Sequence, residues 1–129
     1  MSVLVVYSNS SEGRAALRHG HHVARVEQLP LVAMDLDNFA GKDDRTTDAP
    51  IVDEEYPDEP VQWLGRHRQD PDAADELLDT SEEIGATVIV VGIRRRSAVG
   101  KLLLGSNAQR ILLGADVPVI AVKAAQHEH

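Results

Sequence analysis

Thr87-Val88-Ile89-Val90-Val91-Gly92 is an unbroken aliphatic run that stops at a glycine, and Ile93-Arg94-Arg95-Arg96-Ser97-Ala98-Val99-Gly100-Lys101-Leu102-Leu103-Leu104-Gly105-Ser106-Asn107 follows it. A β-branched run without polar alternation reads as a strand covered on both faces, the pattern of a parallel sheet. Parallel strands need crossovers, and the flanking sequence supplies them. Upstream, Asp70-Pro71 opens a helix with a capping carboxylate and a first-turn proline. Ala74, Leu77, Leu78 and Ile84 mark its buried face, and Gly85 ends it. Downstream, a last helix is expected from Ser106 or Asn107 to about Leu113, with Gly114 as its stop, before a closing strand over Val117 to Val122.

The first half repeats the alternation. Val3 to Tyr7 reads as a second doubly covered strand. Asn9 and Glu12 stand at capping-box spacing, and Ala15, Ala16, Leu17, Val23 and Ala24 recur near helical period to about Arg25. Leu29 to Met34 is apolar again, with Pro30 suiting a first or edge position. Val61, Trp63 and Gly65 alternate with polar residues as a short edge strand. The order βαββαβαβ predicts an α/β fold. It is a single doubly wound, Rossmann-like domain over residues 1–123, with a five-stranded, mainly parallel sheet, about four helices and a tail at 124–129.

Between these elements, Asp35 to Pro60 holds ten carboxylates against Lys42 and Arg45. Its length and like charge predict an acidic, mobile loop at about 36–60, with Ile51 and Val52 as its anchors.

Composition excludes whole classes of function. The net charge of −8 opposes binding to nucleic acid, whose non-specific affinity comes from cations displacing counterions. Without cysteine there is no disulfide, thiolate nucleophile or Cys-ligated zinc. Val3 to Tyr7 is too short for a signal core and no run is of spanning length, so a soluble, cytoplasmic protein without membrane contact is expected. His19 and His22 have the i, i+3 spacing of a chelating pair, but no carboxylate at matching helical spacing completes a metal site, and exposed helix histidines are common. His127 and His129 fall in the tail. Ser8, Ser10, Ser11 and Ser106 lie in no G-x-S-x-G elbow, so no catalytic residue is assigned.

The segment between Gly92 and Asn107 lies where a strand hands over to a helix, a position at which backbone N–H groups and the helix dipole hold anions. Arg94, Arg95, Arg96 and Lys101 concentrate positive charge there in an otherwise acidic chain. It is not a Walker A loop, because Arg95 and Leu102 replace the required glycine and Ser/Thr. Nor does G-x-G-x-x-G follow the first strand, where Ser8-Asn9-Ser10-Ser11 stands.

Gly92, Arg95, Gly105 and Ser106 instead resemble the G-2x-G-9x-G-[S/T] pattern of ATP-binding members of the universal stress protein family. Ala108 to Leu112 and Ala115 to Val122 are similar to that family's closing helix and strand, and Val3 to Leu17 to its opening strand and helix. The resemblance implies a stress-response or regulatory protein that binds an adenine nucleotide, ATP or AMP, weakly. The contacts it implies are Ser8, Met34, Gly92, Arg95, Gly105, Ser106 and Asn107. It also implies a homodimer through the last strand, Val117 to Val122. The chain departs from the pattern twice: Ser8 stands for an aspartate and Arg95 for the middle glycine. Arg95 either fills the ribose or phosphate space or lends charge to the phosphates. A nucleotide-free dimeric interaction module and a slow ATPase remain the alternative readings.

Overall fold

An apolar run such as Val3 to Tyr7 has to be covered on both sides, and the strand that holds it, Ser2–Tyr7 (β1), is: all six residues are buried. In the computed structural model, which describes residues 1–39, 60–66, 72–95, 102–103 and 105–124, β1 lies at the centre of the sheet. Leu31–Phe39 (β2) pairs with it on one side and Ala86–Arg95 (β4) on the other, both parallel. Val61–Arg66 (β3) extends the sheet beyond β2, and Val119–Lys123 (β6) extends it beyond β4. The parallel order is therefore β3-β2-β1-β4-β6. A two-residue strand, Leu102–Leu103 (β5), folds back antiparallel on Arg94 and Arg95.

Three helices lie among the described residues, against the expected four or so: Ser11–Glu27 (α1), Ala73–Ile84 (α2) and Ser106–Gly114 (α3). Alternation along β1 divides the core. Val3, Val5 and Tyr7 pack with Ala16 and Leu17 of α1, while Leu4 and Val6 face Leu77 of α2 and Ile111 of α3. Tyr7 also meets Trp63 of β3 edge-on, with ring centroids 5.0 Å apart, which adds to the burial of both rings.

Several boundaries differ from the sequence-based expectation. The α1 cap is Ser10 rather than Asn9, because it is the Ser10 hydroxyl that accepts the Gly13 N–H at 3.1 Å. The α2 cap is Asp72, accepting the Asp75 N–H at 3.2 Å; Asp70 and Pro71 lie outside the described residues. Gly85 does end α2 in the left-handed region, at φ 66°. Gly114 instead closes α3 as a helical residue. A Cβ there would come within 2.9 Å of Leu78 Cδ1, so its small size serves the packing of α3 on α2. β2 runs on to Phe39, four residues into the stretch read as acidic loop, and the loop's remaining residues 40–59 lie outside the described residues, as does most of the tail. β3 is an edge strand, with Gln62 exposed, but Leu64 is buried as well as Trp63, so both faces are covered from Trp63 to Gly65.

Candidate functional site

The connections leave the sheet in opposite senses at the β1–β4 junction: α1 carries the chain from β1 towards β2, and α3 carries it from β4 towards β6. A doubly wound sheet opens a crevice at such a point, beyond the carboxyl ends of the strands. Here it is a cleft of about 680 Å³. Val6 of β1, Ser8 just beyond its end, and Val91, Gly92 and Arg94 of β4 form its base, and the first residues of α1 and α3 form opposite walls.

The α1 wall is built by two very close backbone approaches. A Cβ on Gly13 would stand 2.0 Å from the Ser8 carbonyl oxygen, and a Cβ on Gly92 would stand 1.9 Å from the Glu12 carbonyl oxygen. Both glycines therefore let the first turn of α1 sit directly on the ends of β1 and β4. Gly92 lines the cleft, but the space that its missing side chain leaves is taken by α1. The seat is fixed further by Ser8, whose hydroxyl lies 2.7 Å from that of Ser10 and whose carbonyl accepts the Ser10 N–H at 2.8 Å.

An ion pair crosses the same junction. Arg94 Nε donates to Glu12 Oε2 at 2.9 Å and Arg94 Nη2 to Oε1 at 3.5 Å; the arginine side chain is 65% exposed and the carboxylate 19%. Partial burial pushes the Glu12 carboxyl up. The hydrogen bonds from Arg94, from its own backbone N–H and from Ser10, together with the arginine's charge, outweigh burial and hold it below the ordinary value of 4.5. Glu12 in turn raises Arg94. A carboxylate lowered in the folded state contributes stability above its unfolded value and loses it as pH falls through the folded one. Replacing Glu12 by Gln should therefore lower the melting temperature at pH 7, by an amount corresponding to less than about 1 kcal/mol for so exposed a pair. The gap between the two proteins should close in melts recorded progressively below pH 4.5.

The α3 wall is different. Its cap, Gly105, has no side chain to offer, and the first internal bond runs from Gln109 N–H to the Gly105 carbonyl at 3.0 Å. The amides of Ser106, Asn107 and Ala108 precede that bond, at the positive end of the helix dipole. A Cβ on Gly105 would meet nothing within 4 Å. The far side of the cleft is bounded by Leu36 and by Arg66, whose Nε donates to the buried Glu76 Oε1 at 3.3 Å.

Of the residues named from sequence, Ser8, Gly92, Gly105, Ser106 and Asn107 come together around this one cleft. Met34 does not reach it: it is 1% exposed within the core between β2 and the helices, and Leu36, two residues on, lines the cleft instead. Arg95 ends β4 with an ordinary strand backbone. Among the described residues only Gln28 is a non-glycine with positive φ, so an arginine is accommodated at position 95 without backbone strain. Glu12 escaped attention as a site residue because its partner, Arg94, is 82 residues away, and Gly13 because the one local hint was a glycine in the first turn of a helix. Arg66 carried no signal at all. His19 and His22 hold their rings 5.6 Å apart, and among the described residues no three His, Asp or Glu side chains are grouped to hold a metal ion. No helix among them is long and apolar enough to cross a membrane.

Residues 1–123 match the family model described as the universal stress protein family. The chain belongs to that family. A universal stress protein of Mycolicibacterium smegmatis is 37% identical over 125 residues, covering 94% of this chain and 96% of its own. Among solved structures, a universal stress protein from Archaeoglobus fulgidus superposes with a TM-score of 0.71 at 27% identity, over 95% of this chain and 98% of its own. A second structure from that organism, in complex with dAMP, shares the fold with a TM-score of 0.65 at 21% identity, over the same shares. The universal stress protein fold thus accounts for the strand order and for the position of the cleft at the β1–β4 junction.

Proposed function

We propose that this universal stress protein binds an adenine nucleotide, ATP or AMP, in the cleft at the β1–β4 junction and acts in the cytoplasm as a regulatory, stress-responsive dimer. The observation that carries this reading is the N-terminus of α3. Where α1 and α2 are capped by Ser10 and Asp72, α3 has no side-chain cap, and it opens on a cleft of nucleotide size lined also by Arg94. A phosphate there accepts from the first-turn amides and gains from the dipole. The dAMP complex of the Archaeoglobus protein, and a further family member in complex with cAMP, support an adenine nucleotide as the class of ligand.

The dimer reading rests on β6. Among the described residues it pairs only with β4, which places half-buried Val119, Ile120 and Val122 at an edge of the sheet. Such an edge is either protected or paired with a second copy.

Calorimetric titration with AMP and ATP tests the nucleotide reading directly: heat saturating at one site per chain is expected. Mass spectrometry of the purified protein should show a copurified adenine nucleotide, and its size-exclusion mass should be twice that of the chain. One observation favours a nucleotide-free module instead. Ser8, which stands for the family's aspartate, already spends its hydroxyl on Ser10. Absence of heat with both nucleotides would decide for that second reading.

A further inference from the structure

Among the described residues, the charged side chains that line the cleft are paired. Arg66 is held by Glu76 and Arg94 by Glu12, and Glu76 is buried behind its arginine, so Glu12 is the carboxylate that itself lines the cleft among the described residues. It stands in the first turn of α1, across the crevice from the α3 amides. With two hydrogen bonds it occupies the Nε and one Nη of the arginine that a phosphate would otherwise claim.

A ligand with a single phosphate placed on the α3 amides leaves that pair intact. Each further phosphate adds negative charge that has to displace Glu12 from Arg94 or lie beside it, and like charges at such range repel in a partly desolvated cleft. We propose that Glu12 is a specificity-determining residue that makes the cleft select nucleoside monophosphates over polyphosphates. This rests on the nucleotide reading above and adds to it which charge state the site accepts.

Titration of the wild-type protein, Glu12→Gln and Glu12→Asp with adenosine, AMP and ATP tests the assignment. Wild type should take AMP more tightly than ATP. Glu12→Gln, which keeps the shape and removes the charge, should tighten ATP by roughly tenfold and AMP by no more than about threefold, with adenosine unchanged. Glu12→Asp keeps the charge and should keep the wild-type preference, which separates a charge effect from a mere disturbance of α1. Thermal melts confirm that each variant is folded. The assignment is overturned if wild type prefers ATP, or if Glu12→Gln shifts ATP and AMP equally or not at all. Loss of preference in Glu12→Asp overturns it too. If adenosine, AMP and ATP all fail to bind wild type, the nucleotide reading itself falls and the selectivity with it; binding of AMP without the shift in Glu12→Gln removes the role of Glu12 alone.

Discussion

Gly92→Ala should cost the protein about 3 kcal/mol or more of folding stability, read as a fall in the denaturant midpoint at unchanged slope. The added methyl would stand 1.9 Å from the carbonyl oxygen of Glu12 and 2.5 Å from its carbonyl carbon. Those are backbone atoms in the first turn of a helix, so no side-chain rotation relieves the clash. Either α1 lifts from the end of β4 or the strand bends away. Lifting α1 would loosen the packing of Ala16 and Leu17 on Val5 and Val90 and pull Glu12 from Arg94. Gly13→Ala should behave similarly, since its methyl would stand 2.0 Å from the Ser8 carbonyl oxygen. A fall of less than about 1 kcal/mol in Gly92→Ala would show that the α1–β4 contact is far more yielding than its geometry implies.

The second large effect is expected at the other glycine of the motif and is of the opposite kind. Gly105→Ala should leave stability within about 0.5 kcal/mol of wild type, because its methyl meets no atom within 4 Å and its backbone, at φ −64°, suits any residue. Gly105→Trp should then keep a near wild-type melting temperature yet lose at least tenfold in nucleotide affinity, as an indole carried by the α3 cap obstructs the crevice. Calorimetry on this variant beside wild type reads the effect. Equal affinity for AMP in the two proteins would mean that the nucleotide lies elsewhere. The two glycines thus separate what their shared motif joins: Gly92 seats a helix, and Gly105 keeps a space open.

The elements legible in the sequence were those whose residues answer to one local demand. Val3 to Tyr7 and Val88 to Val91 are runs without a charged or polar break and read as central strands, and Gly85 reads as a left-handed stop. Boundaries were less legible where two local solutions compete. Asn9 and Ser10 both carry capping side chains, and the choice fell to the hydroxyl that reaches the Gly13 amide. β2 outran its apolar run because its pairing with β3 continues beyond Met34, at Asp35 with Gly65 and, after a register shift, at Phe39 with Arg66. At the site, Ser8, Gly92 and the α3 cap were legible because strand ends and helix starts can be located from pattern. The charge arrangement was not. Glu12 and Arg94 are 82 residues apart, and Arg66 meets Glu76 only because a strand end and a helix turn happen to face each other. Such pairs are products of the tertiary fold.

The central place of β1 also bears on how the chain is made. Its first neighbour, β2, follows within about thirty residues, but the second, β4, begins only at Ala86. At ribosomal speeds of about 5 to 20 residues per second, one edge of Ser2–Tyr7 stays open for several seconds after the strand has emerged. That edge belongs to Val3-Leu4-Val5-Val6-Tyr7, a segment without charge, proline or glycine, the composition that readily pairs with a neighbouring nascent chain. The strand that anchors the finished sheet is thus one that waits with an open edge while its second partner is still being synthesised.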